Sequence, residues 1–452
     1  MGNNEVDVVV IGLGPGGESA ATQLAEAGLE VVGVDQRLVG GECPYFGCVP
    51  TKMMVRAAGL LAEGRRVAGM AGDSAVTHSW SPVAERISQE ATDDWDDSVA
   101  VERLEQAGVT FVRGHARLSG ARTVEVDAVT YVARKGVLLN TGTEPAAPPI
   151  DGLAETPYWT NRDAVRLTEL PASLIVIGGG AIGVELCQVF ARFGVQVTLV
   201  EAADRILAPE EPEASQLLTQ VFVHEGIQVL VGAEISSVAY EDGRFAVALS
   251  DQKLHADKLL VAVGRRNNLS DIGLDSVGLD PSAKALETDG RMRAADGLWA
   301  IGDITGAGPY THTSMYQAGV AARDILGQDG PEADYRAVPR VTFTDPEVGS
   351  VGITEQQARD HGLRVRVGIT QVPESARGWI HKAGNDGLVK LVEDADRGVL
   401  VGATSAGPNG GEVLSMLTTA VHAQVPITTL RSMIYAYPTF HRAVEDALSK
   451  MG

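Results

Sequence analysis

An α/β architecture with two parallel-sheet halves and a C-terminal α+β domain is predicted by three features of this 452-residue sequence. A Val-rich strand, a glycine turn, an Ala-rich helix and a second strand ending in an acid run through VDVVVIGLGPGGESAATQLAEAGLEVVGVD. The same order returns in SLIVIGGGAIGVELCQVFARFGVQVTLVE. From Tyr335 onward the texture changes to strands with no glycine turn, followed by helices.

The first unit turns through Gly12, Gly14 and Gly17 and closes at Asp35; the second turns through Gly178, Gly180 and Gly183 and closes at Glu201, with the acid equally far from the first glycine in both. In such a turn the first glycine permits the bend and the second lets a pyrophosphate approach the backbone. The third lets the helix pack on the strand, and the helix N-terminus attracts the anion. Each acid can accept hydrogen bonds from ribose hydroxyls. One glycine motif alone is weak evidence, but two complete units with matched spacing point to two Rossmann-like dinucleotide-binding domains.

Between the units, ARTVEVDAVTYVARKGVLLNTG alternates apolar and polar residues as a β-meander would, and GTEPAAPPIDG is a Pro-rich crossing. After the second unit, GRFAVALSDQKLHADKLLVAVGRRNN repeats the meander and exit. GLWAIGDITG then reads as a short buried strand ending at Gly302-Asp303, with a helix from about Thr311. The tail places strands in PRVTFTDPEVGSVGIT and GLVKLVEDADRGVLVGATSAG. The expected domains are 1–149 and 266–334 for the first, 150–265 for the second and 335–452 for the third. DDWDD, at 93–97, reads as a solvated helix start, since its spacing suits no EF-hand.

With 44% hydrophobic and 21% charged residues the chain has an ordinary globular composition. A net charge of -22 with no run of Lys and Arg argues against nucleic acid or an anionic membrane surface as partner. MGNNEVDVVVIG has no basic region and an apolar run of strand length, so it reads as neither signal peptide nor membrane span. A cytoplasmic location is expected, where a close cysteine pair is catalytic or metal-binding more often than structural.

Two of the three cysteines lie in GGECPYFGCVPTK. A structural zinc site needs four ligands, and only Cys43, Cys48 and the distant Cys187 exist, so no metal site is expected. A disulfide across this gap is feasible in a turned segment, yet so short a loop adds little stability. That leaves a switchable pair or two unrelated thiols. The pair follows Asp35 closely and should open a helix, whose N-terminus favours thiolate. Two dinucleotide sites and a cysteine pair suggest a relay in which NAD(P)H reduces a flavin and the flavin reduces a disulfide. Cys187 falls on the apolar face of the second unit's helix and reads as a small core residue.

GGECPYFGCVPTK, the two glycine units, NTGTEP, VAVGRRNN, WAIGDITG and FTDPEVGSVGITE, in this order, resemble the flavoprotein disulfide reductases, the family of dihydrolipoamide dehydrogenase, glutathione reductase and mercuric reductase. The resemblance implies FAD on Gly12, Gly14, Gly17 and Asp35, with Ala116 and Gly142 close by and Asp303 on the ribitol. It adds Gln36 and Gly264 to the cofactor-binding residues. Lys52 would sit near the flavin and pair with Glu185, Cys48 would face the flavin, and Cys43 would exchange with substrate. His312 would lie near the flavin, and the third domain would form a homodimer interface. Glu201 should accept from a ribose 2′-hydroxyl and repel a 2′-phosphate, so NADH is expected over NADPH.

The resemblance breaks at the C-terminus. Dihydrolipoamide dehydrogenase and glutathione reductase carry His-Pro followed by Glu there, whereas YAYPTFHRAVEDAL puts Tyr437 at the histidine position and Arg442 at the glutamate position. Tyrosine, with an ordinary pKa near 10, is a poor base at neutral pH. His441 with Glu445 or Asp446 offers a displaced His-carboxylate pair at helical spacing. Mercuric reductases are similar in carrying tyrosine there, but they also have a vicinal cysteine pair near the C-terminus, and no cysteine follows Cys187. Tyr45 and Phe46 stand inside the cysteine loop, where their bulk is expected to narrow substrate access. The leading expectation is electron transfer from NADH through FAD to Cys43-Cys48 and on to a small-molecule acceptor. The alternatives are a diaphorase, quinone reductase or transhydrogenase using the flavin directly, and a nucleotide-sensing scaffold without turnover.

Overall fold

A computed structural model describes residues 4–451, which divide into two compact units. The first comprises Met1–Pro50, Glu85–Ala146 and Arg265–Tyr335. Its sheet is built on the strand Asn4–Ile11, which pairs in parallel with Val31–Asp35 on one side and Val129–Leu139 on the other. Val109–Arg113 and Leu298–Ala300 extend it in parallel, and Ala116–Gly120 and Thr123–Val126 form the expected antiparallel meander with Val129–Leu139. A central parallel strand is covered on both faces, so it reads as a continuous apolar run. Val8 and Val10 face a core that includes Ala20, Ala21, Leu24, Ala318 and Ile325; Val9 and Ile11 face one that includes Val124, Leu139 and Ile304.

That first core joins two helices, Pro15–Glu26 and Thr311–Ile325. Their approach is close enough that a Cβ at Gly16 would collide with the Ser314 hydroxyl. The glycine turn and the start of Thr311–Ile325 are thereby fixed to each other by packing.

The second unit comprises Thr51–Ala84, Ala147–Gly264 and Arg336–Gly452. It holds a four-stranded parallel sheet of Gln228–Leu230, Gln196–Val200, Ser173–Ile177 and Lys258–Val261, in that order. The second meander, Ile235–Glu241, Arg244–Leu249 and Lys253–Ala256, is antiparallel as expected. Toward the C-terminus a five-stranded antiparallel sheet, ordered Pro339–Thr342, Glu347–Gly352, Val399–Gly407, Leu388–Asp394 and Val365–Gln371, packs on the helices Gly410–His422 and Ala443–Ser449. Among the described residues no helix is long and apolar enough to cross a membrane.

A buried ion network ties parts of the second unit together. Lys390 Nζ donates to Glu211 at 2.9 Å and Glu213 at 2.8 Å and lies 3.0 Å from Glu355, with the side chains of Lys390 and Glu211 only 3% and 4% exposed. Burial opposes the Lys390 charge, but its hydrogen bonds to Glu213, Glu211 and Glu355 outweigh it and hold the ammonium above the ordinary lysine range. Burial likewise opposes charge on Glu355, and hydrogen bonds from Arg359 and Lys390 prevail and lower its pKa. Lys390 therefore stabilises fully below the ordinary lysine pKa and loses its effect only as pH rises through the raised value. Glu355 contributes above the ordinary glutamate pKa and loses its effect as pH falls through the lowered one. Lys390→Met strands Glu211 without its cation and is expected to cost about 3–5 kcal/mol in chemical denaturation. The deficit should be constant across neutral pH and shrink in acid as the carboxylates protonate.

Candidate active site

The two glycine loops have the same construction. Gly12 and Gly178 take φ of +90° and +108°, and a Cβ on either would collide with the carbonyl oxygen of Asn140 or Ala262 on the neighbouring strand's exit. Gly17 and Gly183 press on the carbonyl oxygens of Gly12 and Gly178, so the third glycine of each motif lets the helix close on the turn. The middle glycines differ. Gly180 has open space where a Cβ would stand, and at Gly14 the nearest atom is Asn140 Nδ2 at 3.4 Å. Beside each open position begins a 12-residue helix, Pro15–Glu26 or Ala181–Arg192. A loop that is crowded at its outer glycines, open at its middle one and headed by a helix N-terminus fits a pyrophosphate.

The strand-end acids brace these loops. Asp35 accepts from Leu13 N and from Arg37 N, both at 2.7 Å. Glu201 accepts from Gly179 N at 2.6 Å and Ala203 N at 2.7 Å. The donors are equivalent in the two copies: one sits in the glycine loop, one lies two residues past the acid. Each carboxylate oxygen keeps a further lone pair for a ligand hydroxyl. Burial pushes the Asp35 carboxyl up, partly offset by the Arg37 and Leu13 N–H groups.

In the first unit, Asp303 accepts from Thr143 Oγ1 at 2.7 Å, and Thr143 Oγ1 accepts in turn from Arg265 Nε at 2.7 Å. Arg265 also reaches Glu42, the residue before Cys43, at 3.2 Å. Gly142 takes a positive φ of 64°, Ala116 is buried in its strand, and Gln36 is exposed beside Asp35.

Cys43 lies in the short helical turn Glu42–Tyr45, and Cys48 opens the helix Cys48–Arg66. No disulfide joins them, but the thiols are in hydrogen-bond contact. That contact with Cys48, burial and the charge on Cys48 together push the Cys43 thiol well above the ordinary range. Cys48 is exposed, and its Sγ lies 3.7 Å from Thr311 Oγ1. Cys187 is buried, and desolvation raises its thiol.

Tyr45 does not narrow access. Its side chain is only 6% exposed, because the turn directs it into the protein, with its ring edge over Gly40. DDWDD leads into a helix as expected, with Asp93, Asp94 and Asp96 exposed and Asp97 at the N-cap of Ser98–Gln106, but Asp97 is buried. It forms a tight turn, Asp93–Trp95, ahead of the helix Ser98–Gln106. Trp95 Nε1 donates to the Tyr45 carbonyl at 3.0 Å, and the buried Asp97 accepts from Val39 N at 2.6 Å and pairs with Arg113. Both contacts brace the cysteine segment, and neither leaves a local signal in sequence.

In the second unit, Lys52 Nζ pairs with Glu185 Oε2, while Glu185 Oε1 accepts from Phe343 N at 2.8 Å and the Phe343 ring centroid lies 4.8 Å from Lys52 Nζ. Glu185 is 5% exposed, and Lys52 and the Phe343 N–H satisfy its two oxygens there. Gly264 is exposed with φ of 123°. Tyr437 is 70% exposed, with Arg442 Cζ 5.5 Å from its ring centroid. His441 contacts Thr439 Oγ1 at 3.5 Å and lies in the turn Phe440–Arg442 before the helix Ala443–Ser449. Glu445 pairs with Arg442 at 2.9 Å, so the carboxylate offered to His441 by helical spacing is engaged elsewhere.

Residues 6–323 match the pyridine nucleotide-disulphide oxidoreductase family, and residues 338–448 match that family's dimerisation domain. The chain belongs to the pyridine nucleotide-disulphide oxidoreductases. It is 34% identical to a dihydrolipoyl dehydrogenase of Halobacterium salinarum, over 98% of this chain and 95% of the relative. A Staphylococcus aureus mercuric reductase is 30% identical over 98% of this chain and 82% of its own length. A solved Cu(II) complex of the HOCl-induced flavoprotein disulfide reductase RclA from Escherichia coli superposes with a TM-score of 0.86 and 26% identity, covering 99% of both chains. As a member of this family the protein is an FAD-dependent oxidoreductase acting with NAD(P)H.

Gly17→Ala is expected to lower the Tm by several degrees, on the scale of about 1–3 kcal/mol for overpacking, because backbone must move. Gly14→Ala should leave the Tm of the flavin-free protein unchanged and lower only its FAD content. Thermal melts and flavin absorbance on the purified variants check both.

Proposed function

We propose that this oxidoreductase passes electrons from NADH through FAD to the Cys43-Cys48 pair and then to a small-molecule acceptor. The observation that carries the reading is the contact between the two thiols, with Cys48 at a helix start. Gly12, Gly14, Gly17, Asp35, Gln36, Ala116, Gly142 and Asp303 would hold FAD in the first unit, and Gly178, Gly180, Gly183, Glu201 and Gly264 would hold NADH in the second. Bound FAD supplies two-electron transfer between a hydride donor and the disulfide.

Opening the disulfide takes one electron pair and one proton. Cys43 keeps the proton, since its thiol is held high by its hydrogen bond to Cys48, burial and the neighbouring charge. Cys48 keeps the charge at the helix N-terminus. Lys52 stands one helical turn after Cys48 and is oriented by Glu185. For Cys43 to attack a substrate it must lose its proton, and Tyr437, exposed with Arg442 over its ring, offers a phenol hydroxyl in place of an imidazole. That observation favours one second reading, direct use of the flavin as diaphorase, quinone reductase or transhydrogenase. His441, its ring contact made to Thr439, is retained as a substitute proton carrier.

The domain division 1–149 with 266–334, 150–265 and 335–452 is retained, and the dimerisation-domain match supports a homodimer. Cysteine usage supports a cytoplasmic location. A panel of lipoamide, oxidised low-molecular-weight thiols, mercuric ion, Cu(II), quinones and oxygen with NADH identifies the acceptor.

In an anaerobic NADH titration the wild type should take up one electron pair beyond FAD reduction, and Cys43→Ser should take up none beyond it. Unchanged stoichiometry in the variant means that the pair is not in the relay, and quinone activity surviving Cys43→Ser and Cys48→Ser establishes the second reading. Glu201 is expected to give NADH a kcat/KM advantage over NADPH of about tenfold or more, a difference near 1.4 kcal/mol. Arg205, the nearest basic side chain along the chain, is tied to the Ala208 carbonyl at 2.6 Å and supports that preference. Equal kcat/KM values would overturn it.

A further inference from the structure

The cysteine turn is tied down on its N-terminal side, residue by residue. Gly40 N donates to the Leu13 carbonyl at 2.7 Å. Gly41, with φ of +68°, sits so near the first glycine loop that a Cβ on it would stand 2.9 Å from Gly14 Cα. Glu42 comes next, directly before Cys43, and its Oε2 lies 3.2 Å from Arg265 Nη2, with both side chains mostly buried. Arg265 is itself fixed. Its Nε donates to Thr143 Oγ1 at 2.7 Å and its Nη2 to the Thr143 carbonyl at 2.8 Å. Thr143 is buried and donates to Asp303, and its strand Thr143–Pro145 pairs with Arg265–Asn267. A planar guanidinium gripped at two points is a rigid anchor rather than a mobile surface charge.

We propose that Glu42 and Arg265 are positioning residues for the redox pair: Arg265 fastens the start of the cysteine turn through Glu42 and so keeps Cys43 within closing distance of Cys48 after the disulfide has opened. This rests on the relay reading above. Cys48 is held by the 19-residue helix that it opens, whereas Cys43 sits in a turn of four residues, so the tether acts on the sulfur with the weaker local support. An opened pair in a loose turn explores more conformations than the closed one. Losing the tether therefore lowers the effective concentration of one sulfur at the other and makes the disulfide easier to reduce. A pure charge effect has the opposite sign at Arg265. Removing the cation would leave the Glu42 carboxylate uncompensated beside Cys43, which opposes thiolate and makes reduction harder.

The contacts made by the sulfurs themselves, to each other and to the Thr311 hydroxyl, do not involve either side chain. Glu42→Gln keeps the side chain's shape and leaves Arg265 on Thr143, while Arg265→Gln removes the anchor and leaves Glu42 in place. In the couple that reads the tether, the Cys43–Cys48 S–S bond breaks and two thiols form. Dithiothreitol supplies the two electrons and two protons and closes its own S–S bond.

The test equilibrates the FAD-loaded protein anaerobically at pH 7 with reduced and oxidised dithiothreitol over a range of ratios. Samples are quenched in acid, labelled with N-ethylmaleimide and read by peptide mass spectrometry. Glu42→Gln and Arg265→Gln should each shift the equilibrium about tenfold toward the open pair, a rise of about 30 mV in potential. The double variant should shift no further than either single one, since both remove the same contact. A wild-type midpoint in Glu42→Gln, a shift of Arg265→Gln toward the disulfide, or shifts that add in the double variant overturns the proposal. Glu42→Gln decides the matter by itself should Arg265→Gln fail to hold FAD. A wild-type pair that stays open at every ratio overturns both the proposal and the relay. Because the reductant is dithiothreitol, the midpoint is read whether or not NADH reaches the pair, and failure of the relay alone shows up as unchanged titration stoichiometry in Cys43→Ser.

Discussion

A strand-end carboxylate that grips the backbone of the preceding glycine loop is the contact on which both glycine loops depend. In each copy one oxygen takes an N–H from the loop and the other takes an N–H just beyond the strand. A glycine loop alone has too much conformational freedom to hold a ligand, since glycine populates left-handed and right-handed backbone alike. The acid removes that freedom while leaving lone pairs for a sugar. The crowded outer glycines remove more of it, by seating the helix against the turn. The middle position is the uncrowded part of each loop, and the proposed reading gives it to a phosphate.

The same rigidity extends to the thiols. The helix that starts at Thr311 packs on the helix that follows the first glycine loop, so the loop, the hydroxyl and the cysteine pair belong to one packed unit. Trp95 and Asp97 hold the cysteine segment from another direction, through the Tyr45 carbonyl and the Val39 N–H. A pair that opens and closes needs its sulfurs to stay in reach of each other in both states. Here Trp95 and Asp97 hold the backbone of the segment, away from the sulfurs. The two thiols are also unequal. Cys43 is partly buried and holds its proton, while Cys48 is exposed at a helix start.

Much of this was legible in sequence because it is local. The glycine spacing, the acid at the second strand's end and the Val-rich strands are read within a short window, and the parallel sheets follow from them. The resemblance carried further, bringing Lys52 and Glu185 together across 133 positions. What escaped the sequence is long-range and side-chain directed. Thr311 and Cys48 are 263 positions apart and neither residue type signals the other. Tyr45 reads as bulk in a loop until the helical turn Glu42–Tyr45 points it inward. DDWDD reads as solvated charge, whereas Asp97 is buried against Arg113. His441 and Glu445 have helical spacing, but the helix begins only at Ala443 and Arg442 captures the carboxylate first.

In the proposed relay NADH alone, acting through the flavin, opens the Cys43-Cys48 pair. Its most direct measurement is thiol labelling of the air-oxidised holoenzyme under anaerobic conditions, before and after one equivalent of NADH, with the modified peptides identified by mass spectrometry. Cys43 and Cys48 are expected to take the label only after NADH, while the buried Cys187 takes none in either sample. Flavin bleaching with no change in labelling at Cys43 and Cys48 would contradict it.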